Sequence, residues 1–383
     1  MNKKIKMKKR KIVYITGTRA EYGLMQSTLK AINSHPSLEL ELIVTGTHLS
    51  GVFGYTIKDI LKDDFKIHTI QIPEVTDGLS MAHSFGEAVI IFSKLLKKIN
   101  PDILLLEGDR YEALAGAIAG AFLNIVVAHV SGGDVSGSID DSIRHSITKF
   151  AHIHFPGTPK SAERIIKMGE NSKYVFMVGT PGIEKHIKPD KNRIAKKFGL
   201  DPKKPVFLVI QHAVKSEEDK AGWQIKQTLE AVSAFNEQIV IIYSNNDPGS
   251  QDMIKEIEKY RKNRNVRIHK NIPRADFHDL MSISAIMIGN SSCGLTESPM
   301  FGLPVINIGI RQKGRERGGN VIDCSQDIND IKKAIKKALS GAFKEKIKRM
   351  KNPYKSDKTA EKISDILAKI KLDKKLLDKR LTY

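Results

Sequence analysis

The chain has 383 residues, a length at which one hydrophobic core usually gives way to two, and its 40% hydrophobic content excludes a disordered polyelectrolyte. The formal net charge of +20 sits at the ends: residues 1–11 hold seven bases and no acid, residues 331–383 hold eighteen bases and six acids, and the body 12–330 is close to neutral. A groove for a polynucleotide spreads its charge over the folded surface among aromatics, so this distribution reads as solvated ends, with no nucleic-acid or membrane partner expected. The two cysteines, Cys293 and Cys324, stand in no metal-ligand spacing, and the basic start runs into KIVYITGT, too short for a secretion signal or a span. Reduced thiols in the cytoplasm are the expectation.

Short β-branched runs alternate with amphipathic stretches, a pattern that predicts βα units on parallel sheets. In the first half, strands are predicted at 11–16, 41–46, 67–72, 102–108, 125–130 and 174–179, with helices over 81–99 and 111–123. A polar, Pro- and Lys-rich stretch at 180–205 precedes a second series at 206–211, 238–244, 266–270, 285–290 and 304–309. The expected fold is α/β, with one domain over 1–185, a second over 186–356 and a cleft between them. Residues 357–383 form a basic tail in which Ile363, Ile366, Leu367 and Ile370 share a helical face with no assigned packing partner.

In open parallel sheets, ligands lie beyond the carboxyl ends of the strands, so the strand-to-helix turns hold the chemistry. GTRAEYG (17–23) places Arg19 at a helix start, where it can meet a phosphate or carboxylate, and it matches neither G-x-G-x-x-G nor a Walker loop, which argues against NAD and ATP. LLLEGDR (104–110) brings Glu107, Asp109 and Arg110 out of an apolar strand. Asp109 there suits either proton transfer from a desolvated carboxyl or a helix N-cap. SGGDVSGSIDDSIRH (131–145) couples a glycine-rich turn to a helix on which Asp140 and Arg144, and Asp141 and His145, stand four apart. GNSSCGLTES (289–298) offers Ser291 and Ser292 to a diphosphate and Glu297 to two vicinal ribose hydroxyls, while Cys293 has no neighbouring base. His212, ending the first strand of the second series, can hydrogen-bond a phosphate. Arg311, Arg315 and Arg317 lie in a glycine-bearing loop suited to a nucleotide phosphate.

Taken together, GTRAEYG, EGDRYEALAGA, HVSGGDVSGSIDDSIRHSITKFAHIHF, QH, GNSSCGLTES, GLPVIN and GIRQKGRERGGNVI resemble the hydrolysing UDP-N-acetylglucosamine 2-epimerases over roughly residues 11–325. The resemblance implies a GT-B-like fold of two Rossmann-like domains, with a UDP-sugar in the cleft, no metal or redox cofactor, and a homodimer or homotetramer. It implies release of UDP through a glycal, with UDP-GlcNAc giving N-acetylmannosamine. Alternatives are the same reaction on UDP-N,N'-diacetylbacillosamine, a non-hydrolysing epimerase, a GT-B glycosyltransferase, or a regulator that binds a nucleotide sugar without turning it over. The candidate catalytic residues are Asp109, Asp134, Asp140 and His212; the candidate UDP-sugar ligands are Arg19, Arg144, Ser291, Ser292, Glu297 and Arg311. Members of that family often carry a glutamate at the position of Ser131, so the carboxyl lost there must come from Asp134, or else Asp109 and Asp140 divide the proton transfers.

Overall fold

The computed structural model describes residues 9–183 and 190–383. The first eight residues of the basic start and the expected domain boundary at 185/186 lie outside the described residues. Strands β1 (Arg10–Thr16), β2 (Leu38–Val44), β3 (Lys66–Thr69), β4 (Ile103–Glu107), β5 (Val126–Val130) and β6 (Ile153–Phe155) form a parallel sheet in the order β3-β2-β1-β4-β5-β6. Strands β7 (Val206–Ile210), β8 (Gln238–Ile242), β9 (Val266–His269), β10 (Ile286–Gly289), β11 (Val305–Ile308) and β12 (Val321–Cys324) repeat that topology as β12-β11-β10-β7-β8-β9. The central strands are uninterrupted buried apolar runs, as ILLLE in β4 and VFLVI in β7, because helices cover both faces of each sheet.

In each sheet the strand order reverses beside the first strand, between β1 and β4 and again between β7 and β10. Chains leaving those neighbours turn to opposite faces and leave a crevice between them. The two crevices face each other, which is the GT-B-like arrangement that the sequence implies.

Two strand expectations change. Residues 174–179 contribute only a single bridge, Val175 to His154, because the edge position is taken by β6, whose Ile153 and Phe155 pair with Ala128 and Val130. Strand β12, absent from the sequence reading, is a short and half-buried edge strand with a weak apolar signal. The helix Gly78–Ile99 has the length and apolarity of a membrane span by composition; here it buries Ala88, Phe92 and Leu96 in the core of the first sheet.

The basic tail crosses back to the first unit. Its helix Thr359–Lys369 packs on Arg19–Ser34, and Ile363 and Leu367 join Tyr22, Met25 and Leu29 in one core. Further on, Lys379 Nζ donates to the carbonyls of Thr148, Lys149 and Ala151 at 3.0, 2.7 and 2.6 Å. A cation there neutralises the negative end of the helix Ile139–Phe150. The tail thus stabilises the helix that carries Asp140 and Arg144. Leu367→Ala is expected to destabilise the protein by about 2–5 kcal/mol in chemical denaturation, a core cost that a solvated tail could not produce.

Candidate active site

The cleft between the two sheets, open to solvent, spans about 1480 Å³ and is lined by every candidate residue except Asp134. On the first unit, Thr18 caps the helix Arg19–Ser34 by accepting from the Glu21 amide, which sets Arg19 at the rim on the first turn. Glu21 turns inward, accepting from the Tyr14 hydroxyl and, at 3.2 Å, from the Gly17 amide. Burial pushes its carboxyl up to about 7.

Strand β4 ends in Glu107, and Gly108, at φ 74°, turns the chain into the cleft. Of the two readings open for Asp109, capping is not the one adopted. The N-cap of the helix Tyr111–Phe122 is Arg110, and Asp109 instead receives the Arg144 guanidinium. Arg144 is 1% exposed and also donates to the Asp134 carbonyl at 3.1 Å. Of the two pairings expected along its helix, Asp141 with His145 is present at 3.5 Å, but Asp140 with Arg144 is not: Arg144 meets Asp109 and, at 3.6 Å, Asp141, whereas Asp140 reaches across the cleft to Arg311 at 3.3 Å.

On the second unit, the backbones of β7 and β10 approach so closely that a Cβ on Gly289 would lie 1.9 Å from the Ile210 carbonyl. Asn290 then ties the two strand ends, accepting from the His212 amide at 2.7 Å and donating to the His212 carbonyl at 2.9 Å. His212 Nδ1 accepts from the Asn245 amide at 3.0 Å, which leaves Nε2 as the donor of the ring. Burial, with Arg311 and Arg110 nearby, holds this imidazole well below its ordinary value, so it is neutral and serves as a hydrogen-bond donor rather than a cation. Ser291 and Ser292 line the cleft beside it. The helix they precede, Cys293–Thr296, is a single turn, so anion binding here rests on hydroxyls and Arg311 more than on a helix dipole. Burial pushes the Cys293 thiol up to about 12, far from a nucleophile.

Glu297 is 4% exposed and accepts from His278 Nε2 at 2.7 Å and faces Arg274 at 3.1 Å. Burial alone would raise its carboxyl; Arg274 and His278 outweigh that and hold it below its ordinary value. Arg274 and His278 escaped the sequence reading. Their signal was the spacing PRADFH at the start of the helix Arg274–Ile283, behind another carboxyl strand end.

Asp134 lies behind the cleft wall: its carboxyl accepts from Ser161 Oγ at 2.6 Å and from Arg315, which does line the cleft, at 2.9 Å, so its charge is engaged in an interdomain pair. Arg315 and Arg311 belong to one loop of the second unit that docks on the glycine-rich loop of the first. The Gly137 amide donates to the Arg311 carbonyl at 3.0 Å, and a Cβ on Gly137 would sit 2.0 Å from the Ile310 carbonyl. Arg110 adds a third crossing, to Asp247 at 2.9 Å and Asn246 at 2.6 Å. The cleft therefore sets carboxyls from one unit against an electropositive, hydroxyl-bearing phosphate site on the other.

Residues 30–368 match the family described as UDP-N-acetylglucosamine 2-epimerase. The chain is 38% identical to a UDP-N,N'-diacetylbacillosamine 2-epimerase (hydrolyzing) of Legionella pneumophila, over 98% of this chain and 100% of that protein. It is 34% identical to a UDP-N-acetylglucosamine 2-epimerase of Neisseria meningitidis, over 86% and 88% of the two chains. In fold it is similar to the Methanocaldococcus jannaschii UDP-GlcNAc 2-epimerase solved with UDP-GlcNAc and UDP, with a TM-score of 0.76 at 18% identity, covering 93% of this chain and 99% of that one. The chain belongs to the UDP-N-acetylglucosamine 2-epimerase family.

Proposed function

We propose that the protein is a hydrolysing 2-epimerase that releases UDP from a UDP-2-acetamido sugar and returns the free sugar with C2 inverted, UDP-GlcNAc giving N-acetylmannosamine. The observation that carries this reading is the pairing in one cleft of Asp109 and Asp140 with the phosphate site of His212, Ser291, Ser292 and Arg311. The C2 hydrogen is weakly acidic, so its removal has to accompany departure of the diphosphate. A carboxylate takes the proton, the C2–H electrons become the C1=C2 bond, and UDP leaves with the C1–O pair, its charge met by Arg311 and by the neutral donor His212. Water then adds across the glycal. Glu297, buried but cleft-lining, is the acceptor for the ribose hydroxyls, and Arg19 lines the same cleft. The same reaction on UDP-N,N'-diacetylbacillosamine is a second reading, favoured by the full-length similarity to the Legionella pneumophila protein.

Incubation of the protein with each UDP-sugar in deuterium oxide, followed by NMR, is expected to yield UDP and a free manno-configured sugar carrying one deuterium at C2. A product that keeps its UDP would replace the hydrolysing reading by the non-hydrolysing one; no deuterium exchange and no UDP with either sugar would remove both. Asp109→Asn is expected to lower turnover by roughly 10²–10⁴-fold while UDP affinity, read by calorimetry, stays within about threefold. His212→Gln is expected to weaken UDP binding by about tenfold, near 1.4 kcal/mol. Because the imidazole is held neutral, that loss should be the same at every pH tested from the ordinary histidine value upward.

A further inference from the structure

Inversion at C2 requires two proton-handling groups, one on each face, since a single group returns the proton to the face it came from. Among the cleft-lining carboxyls, Asp109 is paired with Arg144, Asp140 with Arg311, and Glu297 with Arg274 and His278. Glu21 is occupied by the Tyr14 hydroxyl and the Gly17 amide. Glu107 also lines the cleft and, among the described residues, makes no ion pair. It is the last residue of β4, in register with Val130 of β5, so it lies beside Ser131. Ser131 holds a left-handed backbone at φ 61° with its amide on the Phe155 carbonyl, and its hydroxyl is near enough to the Glu107 carboxyl to oppose the rise in that group's proton affinity. A small side chain at 131 thus leaves the wall open for a carboxyl arriving from the adjacent strand.

We propose that Glu107 is the acid that protonates C2 of the glycal, supplying from β4 the carboxyl that position 131 lacks; this rests on the 2-epimerase reading above. In this step the C1=C2 electrons take the proton from Glu107, and a water oxygen bonds to C1. That water gives its proton to Asp109 or Asp140, whichever has returned the first proton to solvent, and Glu107 is reprotonated from solvent. The electrostatics are consistent with an acid. Burial and the neighbouring Glu21 push the Glu107 carboxyl up to about 8, against the opposing Ser131 hydroxyl and the charges of Arg315 and Arg144. Tyr14, whose own proton is held well above the ordinary tyrosine value, completes the titratable surroundings. Burial therefore favours the protonated form of Glu107.

The test compares the full-length parent with E107Q, using the UDP-sugar that the parent turns over and also the free 2-acetamidoglycal and water. E107Q is expected to release UDP within about tenfold of the parent rate, to accumulate glycal, and to form the manno sugar roughly 10²-fold or more slowly. Glycal hydration by the parent should fall as pH rises through about 8, and that limb should be absent in E107Q. Sugar formation by E107Q within threefold of the parent would overturn the proposal, as would equal losses of UDP release and hydration with no glycal. E107D, which keeps a carboxyl, should recover part of the hydration rate and the alkaline limb; a folded E107D, with unchanged UDP binding, that lacks both would also overturn it. A parent that releases no UDP from any UDP-sugar refutes the 2-epimerase reading and the proposal with it, whereas a parent that turns over while E107Q stays unimpaired refutes only the proposal.

Discussion

The rest of the site hangs on one buried cation. Arg144 lies at the base of the cleft, where an unpaired guanidinium would be untenable, and its partners are the Asp109 carboxyl, the Asp134 carbonyl and Asp141. Breaking a buried pair of this kind costs about 3–5 kcal/mol, so Asp109 and the glycine-rich loop are held by the same requirement that keeps Arg144 solvated by protein. The helix beneath Arg144 is anchored in turn, because Lys379 from the far end of the chain caps its carbonyls. The tail reinforces the chemistry without touching the cleft.

The two units meet through charge as well. Arg311 with Asp140, Arg315 with Asp134, and Arg110 with Asp247 cross the cleft from both directions. Each crossing uses a residue from a loop beyond a strand end, so the topology that opens the crevices also supplies the contacts that close them over a ligand. Gly137 permits the closest approach, since any side chain there would collide with the Ile310 carbonyl.

Cations sort the acids of the cleft into two groups. Asp109, Asp140 and Glu297 have arginine partners; Glu21 has the Tyr14 hydroxyl and the Gly17 amide, Glu107 has no ion pair among the described residues, and burial raises both. Burial with cations holds Glu297 below its ordinary value while burial without them raises Glu107 and Glu21, the kind of contrast that divides acid from base among chemically identical groups. Ser131 belongs to that division, because its hydroxyl is small and leaves Glu107 facing the ligand space.

Periodicity alone determined most of the strands, since βα repeats with continuous apolar runs have few other solutions, and the turn motifs at 17–23, 104–110, 131–145 and 289–298 marked the loops that build the cleft. The apolar face of the tail was legible as well, in the spacing of Ile363 and Leu367. Its packing partner was not, because nothing local encodes a contact more than three hundred residues away. Short edge strands such as β12 carry too few buried residues to announce themselves. The fate of each carboxyl was likewise a matter of tertiary structure: Asp134 and Asp140 look alike in sequence, yet Asp140 lines the cleft and Asp134 lies behind its wall, each held by an arginine of the same loop. Glu107, which the sequence shows only as one acid of the LLLEGDR turn, gains its raised affinity for a proton from what packs around it. Local chemistry determined which acids were present, and long-range burial and charge decided which of them hold a proton.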